Sequence, residues 1–484
     1  MSENQQLPLT FGVHATTGKT LELKPGAEYI SQMLTQEKIL RQVIGTNIVP
    51  GMDVFGVPFD VNHQDLSEAG WGIIFAADVD PQPWLDALEP LITQRRLEAG
   101  DRFQLFSGSH GYRKGESASA WLNRHGAALM MIDPAQGVPY YLTIIGPPTQ
   151  VPFSFQYSLD IVAAVGRIDF ASITEYQFYA SSVVNWERDA SRYTRRIIDL
   201  FATCHNFDRA TQLFTNKVAA PFTSGSEKYP PLGEKYGYQI NALMGASATK
   251  DKLKQSMCND SGAPSLIFTG SHGMAFNADD PRQRICQGAI VCQDWPGLGE
   301  IDERHWFSAD DVPEQACLHG AIHFFFACYS AGTPQFDDFS FESPTRAIAP
   351  EAMSARLPQK LMSLPQGGVL ATLGHIDRAW SSSFQTPEGV AQTQDFKDVI
   401  SRLLAGERVG QAVDRFNSQW GIWSSELVTA LLKIDGGMAM SDAQILSLRT
   451  QRDDCRNYIV LGDPAVRLKP EPANIALPGQ VLPE

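Results

Sequence analysis

Two hydrophobic patterns alternate along the chain. Short runs in which every position is apolar, bounded by Gly, Pro or Asp, predict strands buried on both faces, whereas apolar residues three and four apart predict helices with one covered face. Residues 1–65 are mixed, with only short candidate strands such as 53–57. From Trp71 the pattern sharpens: W-G-I-I-F-A reads as a strand and residues 82–96 as a helix carrying Trp84, Leu85, Leu88, Leu91 and Ile92 on one face. Strands are expected at 103–106, 140–145 and 163–170, and a long helix at 176–192 links this first α/β layer to a second α/β unit. The second unit reads strand 195–202, helix 208–219, strand 238–244, helix 249–257 and strand 264–270. That order implies right-handed crossovers and a mostly parallel sheet with helices on both faces. Residues 284–297 suggest a hairpin flap, 333–350 a long loop, 351–364 a helix, and 367–380 a strand with the segment beyond it. Residues 394–405 place Phe396, Val399, Ile400, Leu403 and Leu404 on one stripe, 409–420 repeat the pattern, and a last strand starts at Asn457.

The division that results is an N-terminal segment of unclear role (1–65), a smaller α/β subdomain with its linking helix (66–190), a larger α/β domain (191–470) and a Pro-rich tail (471–484). Composition narrows the function classes. With 43% hydrophobic residues the chain has ample material for cores, and 39 basic against 54 acidic residues argue against a nucleic-acid surface. The first ten residues lack a secretory pattern and no apolar run reaches membrane-span length, so a cytoplasmic protein with seven reduced cysteines is expected. Cys286 and Cys292 come nearest to a metal spacing but no second pair accompanies them, so no metal is expected. Neither a dinucleotide fingerprint nor a phosphate-binding loop follows any predicted strand, and no cofactor is implied.

The candidate chemistry sits where two buried strands stop. Residues 322–334 read I-H-F-F-F-A-C-Y-S-A-G-T-P, so that Cys328 follows an apolar run, and residues 264–273 read P-S-L-I-F-T-G-S-H-G, so that His272 follows another. In open α/β sheets ligands bind at the carboxyl ends of strands, which positions a thiol and an imidazole there for nucleophilic catalysis. The two are 328 − 272 = 56 residues apart, enough for one crossover with an insertion. The oxyanion of an acyl transfer would be met by the N–H groups of Cys328 and Gly273, glycine allowing close approach of the backbone.

A hydrophobic block ending in His-Gly and a later one ending in Ala-Cys resemble the caspase-like cysteine peptidases (clan CD), which include caspases, gingipains, separase and legumain. F-A-C-Y-S-A-G is more similar to the gingipain-like and bacterial caspase-like (CHAT-type) peptidases than to the caspase form of the motif. Y-Y-L-T-I-I-G and V-G-R-I-D-F resemble the first subdomain of gingipain-type catalytic domains, and the stretch from Asn457 resembles the closing strand of bacterial caspase-like peptidases. The resemblance implies a caspase-like fold and a cysteine endopeptidase working through a thioester acyl-enzyme, with His272 protonating the leaving amine. It also implies that the segment after the 367–380 strand pairs with substrate backbone, making Asp377, Arg378, Trp380 and Ser381 the pocket candidates. The implied partners are a protein or peptide substrate and a regulatory protein.

Alternatives stay open on the sequence. F-S-G-S-H-G at 106–111 mirrors F-T-G-S-H-G at 268–273, so His110 competes with His272. Asp377 and Asp294 are either solvated loop carboxylates or an acidic pocket floor that would select Arg or Lys before the cut. His323 reads as a core residue and His375 as a residue near the pocket strand. The rival to an endopeptidase is a scaffold or interaction protein that keeps the fold without activity.

Overall fold

The computed structural model describes residues 7–23, 27–44, 57–128, 131–226, 229–258, 262–297, 299–339, 346–386 and 388–472. The candidate strand at 53–57 falls outside these residues except for its last position, and nearly all of the Pro-rich tail lies outside them as well. The principal strands are β1 (Trp71–Ile74), β2 (Phe103–Phe106), β3 (Tyr141–Ile145), β4 (Ala164–Ile168), β5 (Arg195–Ala202), β6 (Gln239–Met244), β7 (Pro264–Gly270), β8 (Ile322–Phe326), β9 (Ala371–His375) and β10 (Tyr458–Gly462). Among the described residues they form one sheet in the order β2-β1-β3-β4-β10-β9-β8-β7-β5-β6. Strands buried on both faces, such as I-H-F-F-F of β8, take the central places, where helices cover them from either side.

Every neighbouring pair is parallel except β9 and β10, which run antiparallel. The sheet therefore consists of two parallel halves pointing in opposite directions. The carboxyl ends of β5, β6, β7, β8 and β9 share one rim, and those of β1 to β4 and β10 share the other. His110, in the turn after β2, belongs to the second rim and is parted from β7 and β8 by strand direction.

Local chemistry accounts for the departures from the sequence reading. The helix expected at 82–96 divides into Gln82–Ala87 and Glu89–Ala99, since Pro90 fits the first turn of a new helix but not the interior of a continuous one. Residues 284–297 do not fold back on themselves. Instead Ile290–Val291 pairs antiparallel with Trp306–Phe307 and with Gly273, while Gly12–His14 adds in parallel to Gly273–Ala275, giving a second, four-stranded sheet. The helix expected at 409–420 is a short turn, Val409–Ala412, followed by a long helix, Asp414–Asp435. With Asp442–Arg456 and Ala27–Ile44 this helix builds a satellite cluster of Ile30, Met33, Leu427, Leu431, Ile445 and Leu446.

The closing strand is fastened to the first half by charges at the end of β10. Fully buried Arg95 donates Nε to Asp463 Oδ2 at 2.7 Å and both terminal nitrogens to Glu187, while Trp71 Nε1 donates to Asp463 Oδ1 at 2.9 Å. Two elements of the first half, through Arg95 and Trp71, thus meet the residue that follows the closing strand, and a third is joined to them through Glu187.

Candidate functional site

The register of β7 on β8 pairs Gly270 with Phe326, an offset of 326 − 270 = 56. His272 and Cys328, each two residues beyond the paired positions, carry the same offset and leave the sheet side by side. The two chains touch here: a Cβ on Gly273 would stand 1.9 Å from the Cys328 carbonyl oxygen, so only glycine fits. Directly after the thiol, Tyr329 adopts φ 59°, a left-handed conformation that a bulky residue takes only when its surroundings impose it. Its N–H is held by the Asp377 carbonyl at 2.7 Å, and Asp377 is itself left-handed at φ 78°.

His272 is fully buried and its Nε2 lies 3.0 Å from Asp208 Oδ2. Asp208 sits just beyond β5, the strand next to β7, and caps the helix Arg209–Phe214 by accepting from Thr211 N at 2.8 Å. Burial pushes the Asp208 carboxyl up, but the charge of His272 and the hydrogen bonds from His272 and Thr211 outweigh it and hold it well below the usual range. A proton is thereby kept on Nε2. In the neutral ring Nδ1, buried with no partner among the described residues, is then the nitrogen with a free lone pair. Sequence reading named no acidic partner for His272; the signal that marks one is an aspartate in helix-capping position at the carboxyl end of a neighbouring strand.

Cys328 is equally buried, and burial pushes its thiol up to about 12 despite hydrogen bonds from Thr10 and Ala379 N. Sγ lies 3.4 Å from Thr10 Oγ1 and accepts from Ala379 N at 3.2 Å. The cover over the thiol is the N-terminal segment. A Cβ on Gly12 would meet Cys328 Sγ at 2.8 Å and its Cβ at 2.9 Å, so the chain passes directly against the side chain at a point where only glycine can.

That segment is held along its backbone. Leu9 N donates to Ser381 Oγ at 2.9 Å, Ser381 N donates to Leu9 O at 2.8 Å, Thr10 and Trp380 form an antiparallel bridge, and Phe11 N donates to Ala379 O at 2.9 Å. The carbonyl oxygen of Phe11 accepts two N–H groups, from Gly273 at 2.9 Å and from Cys328 at 3.0 Å. The Phe11 ring, with no exposed surface, lies among Phe326, Phe384, Phe214 and the His272 imidazole, with centroid separations of 4.7, 5.8, 6.0 and 5.9 Å. Two N–H groups converging on one carbonyl oxygen, beside a thiol and an imidazole, are the parts that acyl transfer requires.

The pocket candidates divide. Trp380 and Ser381 lie along a bound peptide, the chain's own, and Asp454 holds the stretch around them by accepting from Trp380 N at 3.0 Å, Ser382 Oγ at 3.0 Å and Ser383 Oγ at 2.8 Å. Arg378 turns to Asp337 at 2.9 Å. Asp377 is buried and neither carboxylate oxygen has a partner among the described residues; burial pushes its carboxyl well above the usual range, against the pull of Arg378. Asp294 accepts from Lys250 N at 2.8 Å, at the start of the helix Lys250–Ser256. The two carboxylates make no acidic floor together. The flap contributes Trp295 instead, edge-on to His272 at 6.0 Å. His375 donates or accepts at Asp454 Oδ1, 3.2 Å away, and His323 is a core residue stacked on Phe325 at 3.6 Å. Cys286 and Cys292 belong to no cluster of metal-ligating residues among those described.

No protein-family model matches the chain, and no curated protein does. Among solved structures it is similar to the Arg-specific cysteine proteinase gingipain R, at 12% identity and a TM-score of 0.44 over 86% of this chain and 80% of that one. A structure described simply as a protease matches at 11% identity and a TM-score of 0.47 over 82% of this chain and 78% of that one. The separase of the Saccharomyces cerevisiae separase–securin complex matches at 10% identity and a TM-score of 0.31, over 69% of this chain but 16% of that one. These are likenesses of chain path alone, and what the site can do rests on its own residues.

Proposed function

We propose that the protein is a cysteine-type peptidase of the caspase-like kind, with Cys328 as nucleophile and His272 as the proton-transfer group. One observation carries the reading: a peptide carbonyl is held by the N–H groups of Gly273 and Cys328 in a site that also contains the thiol and a buried imidazole. In the reaction, Cys328 Sγ bonds to the carbonyl carbon while its proton passes to His272 Nδ1, and the oxyanion draws on the two N–H groups. The C–N bond then breaks as the imidazolium returns the proton to the leaving amine. Water opens the thioester, releasing the new carboxylate and restoring the thiol. Asp208 holds the imidazole by Nε2, which leaves Nδ1 for this work, and residues 379–381 pair with the substrate backbone.

The rival reading, a scaffold without activity, draws on the buried, protonated state of Cys328. The test uses Gly12→Val, whose side chain would collide with Cys328 Sγ and so cannot cover the thiol. Mass spectrometry of a proteome digested by this variant should reveal new termini that vanish when Cys328→Ala or His272→Ala is added. A folded Gly12→Val protein that produces no new termini, and whose Cys328 no peptidyl acyloxymethyl ketone modifies, would return the scaffold reading.

A further inference from the structure

Residues 9–12 run through the site with the bonding pattern of a peptide about to be cut. Antiparallel pairing to 379–381, a carbonyl on two converging N–H groups, a side chain seated in a closed pocket and a glycine against the sulphur are four separate features, and they agree on one alignment. Phe11 occupies the position before the bond and Gly12 the position after it. We infer that the site selects polypeptides with an aromatic residue before the cut, and that the chain's own Phe11–Gly12 segment is a tethered occupant competing with them. This rests on the peptidase reading above.

The pocket chemistry argues for the aromatic side chain and against the charged ones. Three phenyl rings and an imidazole surround the Phe11 ring. A lysine or arginine there would need a carboxylate, but Asp208 is engaged by His272 and Thr211, Asp454 by His375, Trp380, Ser382 and Ser383, and burial disfavours the charged form of Asp377. An aspartate would need a cation, and the charge of Arg378 already has the Asp337 carboxylate opposite it through Nη2. A buried charge without a partner is costly, whereas a ring meets offset and edge-on neighbours at favourable separations. The expectation that Arg or Lys precedes the cut, drawn from Asp294 and Asp377, gives way on this ground.

The occupant is anchored on its far side too. Residues Gly12–His14 pair with Gly273–Ala275, and Leu21 N returns to Gly12 O at 3.0 Å, so that the segment closes into a hairpin whose first arm is a strand of the second sheet. A tether of this kind supplies the competitor at an effective concentration in the millimolar range.

Peptides of the form Leu-Thr-Xaa-Gly-Val-His, with Phe, Arg, Asp or Ala at Xaa, are offered to the full chain, to Gly12→Val and to Phe11→Ala, and cleavage is read by mass spectrometry. Peptidyl acyloxymethyl ketones with the same four residues report labelling of Cys328 independently of turnover. The Phe peptide should be cut after Phe at least about tenfold faster than the others, and Gly12→Val should cut it at least about tenfold faster than the full chain, with Phe11→Ala between them. Preference for Arg, Asp or Ala, or equal rates for the full chain and both variants, would overturn the inference while leaving a peptidase. Absence of both cleavage and labelling in folded variants would instead remove the peptidase reading beneath it. Circular dichroism establishes folding, and Phe11→Ala, which creates no clash, serves should Gly12→Val fail to fold.

Discussion

Replacing Asp208 by asparagine separates the two tasks of one carboxylate. Its Oδ2 accepts from His272 Nε2 at 3.0 Å and from Thr211 N at 2.8 Å, the first orienting the imidazole and the second capping a helix. Asparagine caps about as well as aspartate, so the helix keeps its acceptor. With the amide oxygen in that place the charge opposite His272 is lost, and with it the stabilisation of the imidazolium that forms when Nδ1 takes the thiol proton. Losses of this kind run to about 10²–10⁴ in rate, or about 2.7–5.4 kcal/mol of transition-state stabilisation. The cost in stability is smaller, about 1.5–3 kcal/mol for one charge-assisted bond, and Asp208→Ala should add about 1 kcal/mol for the missing cap. The sign with pH follows from the carboxyl being held below its ordinary range: its contribution is full above about pH 4 and fades as pH falls further, so wild type and Asp208→Asn should converge in acid. Cleavage rates are compared in the Gly12→Val background and unfolding is followed in urea. A rate for Asp208→Asn within about threefold of the parent, where a factor of about 10² or more is expected, would refute the role given to Asp208.

Other changes should divide in the same way between chemistry and scaffold. Gly273→Ala puts a Cβ 1.9 Å from the Cys328 carbonyl oxygen, and should abolish cleavage and cost about 1–3 kcal/mol in urea unfolding as the two strand ends are forced apart. At about pH 8, iodoacetamide should leave Cys328, pushed up to about 12, unmodified while exposed Cys258 reacts, as peptide mapping will report; Gly12→Val should make Cys328 reactive. The raised thiol also holds its proton longer than the unfolded chain does. Its stabilisation is full below about pH 8.5 and is lost as pH climbs towards about 12, so Cys328→Ala should lessen the alkaline decline in stability by about 1.4 kcal/mol per pH unit. Arg95→Met strands Asp463 and Glu187 without a cation and should lower unfolding stability by about 3–5 kcal/mol, with the rate per folded molecule unchanged, because Asp463 lies at the rim opposite the site.

The strands that position Cys328 and His272 were legible because burial on both faces leaves an unmistakable apolar run, and the spacing between them equals the register of their pairing. Direction was not legible. An apolar run carries no sign of which way its neighbour points, so the reversal at β9 and β10, which parts His110 from His272, emerged only in three dimensions. Contacts made by two or three residues were hidden for a different reason. Ile290–Val291 is too short to have a period, and its partners, Trp306–Phe307 and Gly273, flank it on both sides of the chain. The same holds for residues 9–12, whose L-T-F-G has no pattern of its own and acquires meaning from a cleft built by residues far along the sequence. The surroundings of Asp294 and Asp377 were not legible either, because a sequence reports a carboxylate without its hydrogen bonds or its burial.

The position of β10 has a consequence for how the molecule comes into being. A strand from near the end of the chain fills the middle of the sheet, between β4 and β9, so during synthesis the ribosome releases two half-sheets, each with a bare inner border. The nascent protein cannot join them until residue 462 has emerged, and Asp463, the next to appear, fastens the seam to Arg95 and Trp71. A polypeptide stopped short of that point by truncation would therefore expose two sticky borders, and would be expected to aggregate or be degraded before its cleft was ever assembled.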